Sequence, residues 1–202
     1  MGMPEDTSPN GTYPFQIDQK VVYPLQGVGT IQLITEKVFK GKPTPYYQIY
    51  LPVTDMIVMI PVHKAVEIGI RSIVPQEKAQ EALAIISSEY EPVTADWKLR
   101  YQMNLDLLKN GDITDIALVV RNLYHRSKVK ELPILERKLY DSAMKLLIDE
   151  VAFSLDLAVS EVEKLVHEKL EPLAKLAHAS AFGEDSEEEF EPEEEEEEEY
   201  EE

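Results

Sequence analysis

The spacing of apolar and polar positions changes once along this chain, near residue 63. Before it, short β-branched or aromatic runs alternate with turn-forming residues: VVY at 21–23, TIQLI at 30–34, YYQIYL at 46–51 and MIVMI at 56–60. Runs of this length, separated in this way, predict a meander of short strands. Gly27 and Gly29 lie on a strand approach and predict a bulge or a sharp bend. KGK at 40–42 and PVTD at 52–55 read as hairpin turns.

Beyond residue 63 the spacing is helical. Pro75 opens a helix through EKAQEALAIISS, with Ala79, Ala82, Leu83 and Ile86 on one face. EYEPVTA breaks it. Asp96 then caps a helix of roughly 97–109, Asn110-Gly111 stops it, and Asp112 caps the next. That next helix carries an apolar stripe of Ile113, Ile116, Val120, Leu123 and Tyr124. Pro133 opens a long helix with Leu135, Leu139, Met144, Leu147, Ile148 and Val151 facing inward. Ser160 with Glu163 reads as a capping box before a last helix, which Pro172 should end or kink. The expected fold class is α+β in two domains. A small Tudor-like or SH3-like β-barrel spans 15–62, since about 50 residues suffice for a barrel and are too few for a sandwich. An all-helical domain spans 63–178. A disordered N-terminus (1–14) and a disordered acidic tail (179–202) flank them. No internal repeat is visible.

Composition narrows the classes. The chain has 202 residues, 44% of them hydrophobic, which supports one or two real cores. It has no cysteine, so disulfides and thiolate metal sites are excluded and a reducing compartment fits. No apolar run approaches the ~20 residues of a membrane helix, and MGMPEDTSPNGTYPF lacks the basic-then-apolar order of a signal peptide. A soluble, cytoplasmic protein is expected, with no membrane partner. The net charge of −19 conceals a division, because residues 184–202 hold 15 acidic groups and no basic one. Setting these aside leaves −4, and within 97–140 nine Lys or Arg outnumber five Asp or Glu. A polyanionic tail thus follows a nearly balanced fold with a mildly basic region inside it.

Catalytic chemistry finds little support. The four histidines, His63, His125, His167 and His178, have no metal-ligand spacing and read as surface or boundary residues. GVG at 27–29 lacks the Lys-Ser/Thr of a phosphate loop and the third Gly of a dinucleotide fold. No cofactor or metal is expected, and no enzyme. Binding fares better. Few charges lie between 44 and 62, so an edge strand could accept a partner strand; alternatively Tyr46, Tyr47 and Tyr50 pack the barrel. Trp97, the sole tryptophan, falls at the first position of its helix beside Lys98, Arg100 and Tyr101. An apolar wedge flanked by cations is the composition of minor-groove binders, and the N–H groups of the helix start add positive potential. The alternative is a Trp that staples this helix to the preceding one.

Taken together, KVVYPLQGVGTI at 20–31, KGK at 40–42, IPVHKAVEIGIR at 60–71, DWKLRY at 96–101, NGD at 110–112 and VVRNLYHR at 119–126 resemble the CarD/CdnL family of bacterial transcription regulators. The resemblance runs from about Phe15 to about Leu157. It implies a Tudor-like domain that binds the RNA polymerase β subunit and a helical domain that touches promoter DNA, making the protein nucleoid-associated through the polymerase. It also implies that Trp97 wedges into the minor groove at the upstream edge of the melted bubble, largely without sequence preference, and stabilises the open complex. The polymerase grip falls on Lys37, Val38, Phe39 and Met59, with Met59 standing where relatives carry a basic residue. Leu99 and Gln102 stand where relatives often carry Arg or Lys, which shifts phosphate contact to Lys98, Arg100, Tyr101, Arg121, Arg126, Lys128 and Lys130. Nothing suggests an obligate oligomer, and a monomer is expected. A protein–protein adaptor without DNA contact is the alternative reading. The tail lies outside the resemblance; it serves solubility alone, competes with DNA for the basic face, or contacts a basic partner.

Overall fold

The computed structural model describes residues 13–89, 94 and 96–181, the last ten of these as helical backbone. The expected disorder at 1–14 and 179–202 falls outside the described residues over 1–12 and 182–202, whereas 179–181 belong to the last helix.

The strands are β1 (Lys20–Tyr23), β2 (Gly27–Phe39), β3 (Lys42–Leu51), β4 (Met56–Pro61) and β5 (Arg71–Ser72). They form one antiparallel sheet of order β4-β3-β2-β1-β5. The expected closed barrel is not present, because no pairing joins β4 to β5 among the described residues. Closure needs the two edge strands to meet. Here β5 has only two residues, and Arg71 within it turns its side chain to the helices. The sheet also takes in Arg71 and Ser72, which lie beyond residue 62 at the junction with the helices.

Lys40 and Gly41 link β2 to β3 with φ of 50° and 76°, the left-handed pair of a two-residue hairpin turn. The sharp bend expected at the glycines is the turn from β1 into β2, where Gly27 has a φ of 92°, and a separate bulge lies at Gln32, where the register slips between Ile31↔Ile49 and Leu33↔Gln48. The extra residue keeps Ile31 and Ile34 on the face of Ile49 and Tyr47, and moves Leu33 to the other face. Gly29 serves close packing: a Cβ there would sit 2.8 Å from Ile49 Cγ2 and 2.9 Å from Leu51 Cδ2. The inner face buries Val21, Ile31, Tyr47, Ile49, Leu51 and Ile60 under Phe15, Ile70 and the short helix α1 (Val62–Ala65). The three tyrosines therefore divide. Tyr47 is in the core, its hydroxyl accepting from the Phe15 N–H at 3.0 Å and donating to the Phe15 carbonyl at 3.2 Å. Tyr46 and Tyr50 point to the outer face.

Five helices form the second core: α2 (Gln76–Ile86), α3 (Trp97–Asn110), α4 (Ile113–Val129), α5 (Ile134–Leu155) and α6 (Val159–Ala181). The predicted faces of α2 and α4 are buried. Gly111, at φ 72°, ends α3, and the Asp112 carboxylate caps α4 at 3.0 Å from the Thr114 N–H. Burial pushes the Asp112 carboxyl up, but hydrogen bonds from Lys78 and Thr114 outweigh it and bring its pKa down to about 2. Four expectations are corrected. Leu135 is exposed, and Glu136 takes the inward place to meet Arg100. His125 is buried, not at the surface. The last helix starts before Ser160: Glu161 reaches back to the Ala158 N–H at 3.1 Å and does what Glu163 was expected to do. Pro172 does not end that helix, which continues to Ala181.

The sheet is joined to the helices through Arg71. Its guanidinium makes a two-pronged pair with the buried carboxylate of Glu150 on α5, with Nη2 to Oε2 at 2.8 Å. Its Nε also donates at 3.0 Å to the carbonyl of Gly111, between α3 and α4. Lys20 on β1 adds a contact 5.0 Å above the Phe153 ring of α5. One arginine thus ties the sheet to the end of the helix that begins with Trp97.

Candidate functional site

Two exposed surfaces gather the residues singled out above. The first is the outer face of the sheet. Strand alternation and the bulge together place Leu33, Tyr46, Tyr50, Ile57 and Met59 there, in register across β2, β3 and β4. Leu33, Ile57 and Met59 are exposed. Lys37 reaches across β3 so that its Nζ lies 3.1 Å from the Met59 sulfur. Val38 and Phe39 project from the hairpin tip, 76% and 54% exposed. Lys37, Phe39 and Met59 therefore fall on this face by register, whereas Val38 alternates to the other side at the hairpin tip. Leu33 and Ile57 were missed. Alternation in β4 read against β3 would have found Ile57, whereas Leu33 needs the bulge.

The second surface is the far end of the helical bundle. α3 and α4 form a hairpin through Gly111 and Asp112, and α4 is followed closely by α5. The start of α3, the end of α4 and the start of α5 therefore share one end. Trp97 stands there, 39% exposed, with Lys98 Nζ 5.8 Å from its ring centroid. Lys98, Lys128 and Lys130 are exposed and Arg126 half-buried. Lys128 lies 4.7 Å over the ring of Tyr124. Leu99, Val129, Ile134 and Leu135 add exposed apolar area at the same end.

Several residues differ from their expected placement. Arg100 was expected at the surface, but only 3% of it is exposed. Its Nε and Nη2 donate to the two carboxylate oxygens of Glu136 at 2.7 and 2.9 Å, and Nη1 to the Thr94 carbonyl at 2.9 Å. Glu136 is itself fully buried. A charge this far from water is tolerated only with such complete pairing, so Arg100 is spent holding α3 against α5. Arg121 donates to the Ser88 hydroxyl at 2.5 Å and the Glu89 carbonyl at 3.1 Å, which ties α4 to the end of α2. Tyr101 packs half-buried against the helical core. The N–H groups of Lys98 and Leu99 are also not open to an outside anion, since the Asp96 carboxylate accepts both, at 2.8 and 3.4 Å. The cations left at this end are Lys98, Arg126, Lys128 and Lys130, with Trp97 on a helix start locked one turn later by a buried ion pair.

No group of three or more metal-ligating side chains occurs among the described residues. None of their helices is long and apolar enough to cross a membrane. The CarD-like/TRCF RID domain model matches residues 15–74, the sheet and its join. The CarD C-terminal domain model matches residues 81–167, the helical bundle. A protein of Bacillus subtilis (strain 168), named "Putative transcription factor YdeB", is 36% identical over 137 residues, which cover 68% of this chain and 90% of that one. With both halves matched in order, and a relative this similar over nearly its whole length, the chain belongs to the CarD/CdnL family.

Proposed function

We propose that the protein is a transcription regulator that holds RNA polymerase with its sheet and touches promoter DNA with the far end of its helical bundle. The polymerase partner follows from the RID-type domain over 15–74. In this reading Lys37, Val38, Phe39 and Met59 grip the β subunit, helped by Leu33 and Ile57 on the same face. Trp97 enters the minor groove at the upstream edge of the bubble, and Lys98, Arg126, Lys128 and Lys130 hold phosphates. Arg100 leaves the set of DNA contacts and becomes a positioning residue.

The observation that carries this reading is the mounting of Trp97. The indole is left 39% exposed at a helix start, where the chain's sole tryptophan could have been fully buried, and the buried Arg100–Glu136 pair fixes the helix that bears it. A wedge must be rigid to act, because unstacking a base step costs a few kcal/mol and a yielding side chain would recover none of it. The polymerase supplies most of the affinity, so the bundle needs only weak phosphate contacts. The wedge then favours melted over closed promoter by its binding difference between the two states and by no more. A difference of about 1–2 kcal/mol multiplies the open fraction roughly 5- to 30-fold.

The test pairs one change from each surface. Trp97→Ala should leave capture of the β subunit intact and shorten open-complex lifetime. Met59→Glu should abolish capture. An unchanged lifetime sinks the wedge, and retained capture means the wrong face of the sheet. A second reading, a protein–protein adaptor, draws on the apolar residues Leu99, Val129, Ile134 and Leu135 around Trp97. Crosslinks from position 98 to DNA within a polymerase–promoter complex favour the first reading, and crosslinks to protein alone favour the second.

A further inference from the structure

We infer that the acidic segment 184–202 folds back onto the cationic end of the bundle around Trp97, and that DNA must displace it there. The second clause rests on the reading just given, whereas the first does not. Three observations converge. The segment carries 15 acidic groups and no basic one. Next, the path of the chain delivers it to this end. α5 runs from Ile134 at the Trp97 end back to Leu155 near the sheet, where Ser154 donates to the Val74 carbonyl at 2.8 Å. α6 starts only three residues later, buries Val162, Val166 and Leu170 in the helical core, and continues to Ala181. A short connection between packed helices makes them antiparallel neighbours, so α6 returns toward the start of α5.

Three cations at that end, Lys98, Arg126 and Lys128, also have no internal partner of opposite charge among the described residues. Other cations are paired: Arg71 with Glu150 and Lys78 with Asp112 toward the sheet, and Arg100 with Glu136 and Arg137 with Glu131 at this same end. Among the described residues, no carboxylate pairs with Lys98, Arg126 or Lys128, although Lys98 and Lys128 rest against aromatic rings. A polyanion tethered about 10 Å from the end of α6, at most ~3.5 Å per residue, meets these cations at an effective concentration of order millimolar. Individual exposed pairs are weak. Fifteen carboxylates facing one small cationic surface act together and are screened together.

Trp97 is the chain's sole tryptophan and reports on its own surroundings, so docking is tested without DNA. Iodide quenching of Trp97 is compared between the full chain and one ended at Gly183, at constant ionic strength. A docked polyanion repels iodide. At a local potential of about one kT, quenching of the shortened chain should be roughly two- to threefold stronger at low salt, and the difference should vanish near ~1 M salt, where the screening length is about 3 Å. Equal quenching at low salt overturns the inference, as does a difference that high salt leaves untouched. Reversing the charges with Lys98→Glu, Arg126→Glu and Lys128→Glu in the full chain should abolish the effect of removing the tail; if the effect survives, the tail lies elsewhere. A chain that passes these tests but shows no DNA crosslink at position 98 would keep the docked tail and lose the wedge.

Discussion

The outer face of the sheet and the far end of the bundle are built by opposite means. On the sheet, each exposed residue owes its place to strand register, and neighbours two apart share a face. At the bundle end, Trp97 owes its place to a residue it does not touch in sequence order, Glu136, through Arg100. The first surface is made by repetition along the strands, whereas the second leans on one buried ion pair. In the function proposed above, a broad face would serve the partner that supplies affinity, and a single fixed side chain would serve as a wedge. Along α5, Glu136 and Glu150 stand about 21 Å apart at 1.5 Å per residue, and each pairs with an arginine from a different part of the fold. One helix therefore sets the distance between the two surfaces.

The contrast can be broken at the bundle first. Glu136→Ala strands the Arg100 guanidinium in the interior and should cost about 3–5 kcal/mol in urea unfolding. Replacing both partners together, as Arg100→Met with Glu136→Leu, should recover most of that loss while leaving Trp97 less firmly held. A cost below about 1 kcal/mol, the range of an exposed pair, would mean that the mount is not the ion pair. On the sheet, Gly29→Ala should cost less, about 1–3 kcal/mol, because its Cβ must push aside Ile49 and Leu51. If it proves the more damaging of the two, the sheet is the less tolerant region and the comparison reverses.

The smallest effect concerns an exposed pair. Burial pushes the Asp112 carboxyl up, but hydrogen bonds from Lys78 and Thr114 outweigh it and hold its pKa at about 2, below the ordinary 3.8. A depressed carboxylate contributes stability that is full above its unfolded pKa and is lost as pH falls through the folded one. Wild type should therefore lose part of its stability between about pH 4 and about pH 2, and Asp112→Asn should show a shallower slope there in urea midpoints. The Lys78 and Asp112 side chains are 39% and 40% exposed, so solvent screens the pair and the change should be slight. A large change would place Asp112 among the bundle's essential supports, beside Glu136.

Most of the fold was legible because it follows local rules. The caps at Asp96 and Asp112, the stop at Gly111 and the inward faces of α2 and α4 depend on residues a few positions apart. The two-residue hairpin at Lys40–Gly41 is equally local. The misreadings share a cause. Closure of the sheet depends on whether its two ends meet, and β5, joined to the helices through Arg71, is too short for that. The bulge at Gln32 depends on what β3 offers across the sheet. Arg100 looked like a phosphate contact because its sequence neighbours are exposed, and only the approach of α5, 36 residues away, turned it inward.

By itself the sequence determined the change from strands to helices, the helix ends, the lone Trp at a helix start and the concentration of acidic charge in 184–202, since each is a matter of period, capping or charge along the chain. Tertiary structure alone decided which cations remain at the surface. A buried charge needs a partner, and partners come from distant segments: Glu136 took Arg100, Ser88 and Glu89 took Arg121, and Lys98, Arg126 and Lys128 stayed outside with Trp97.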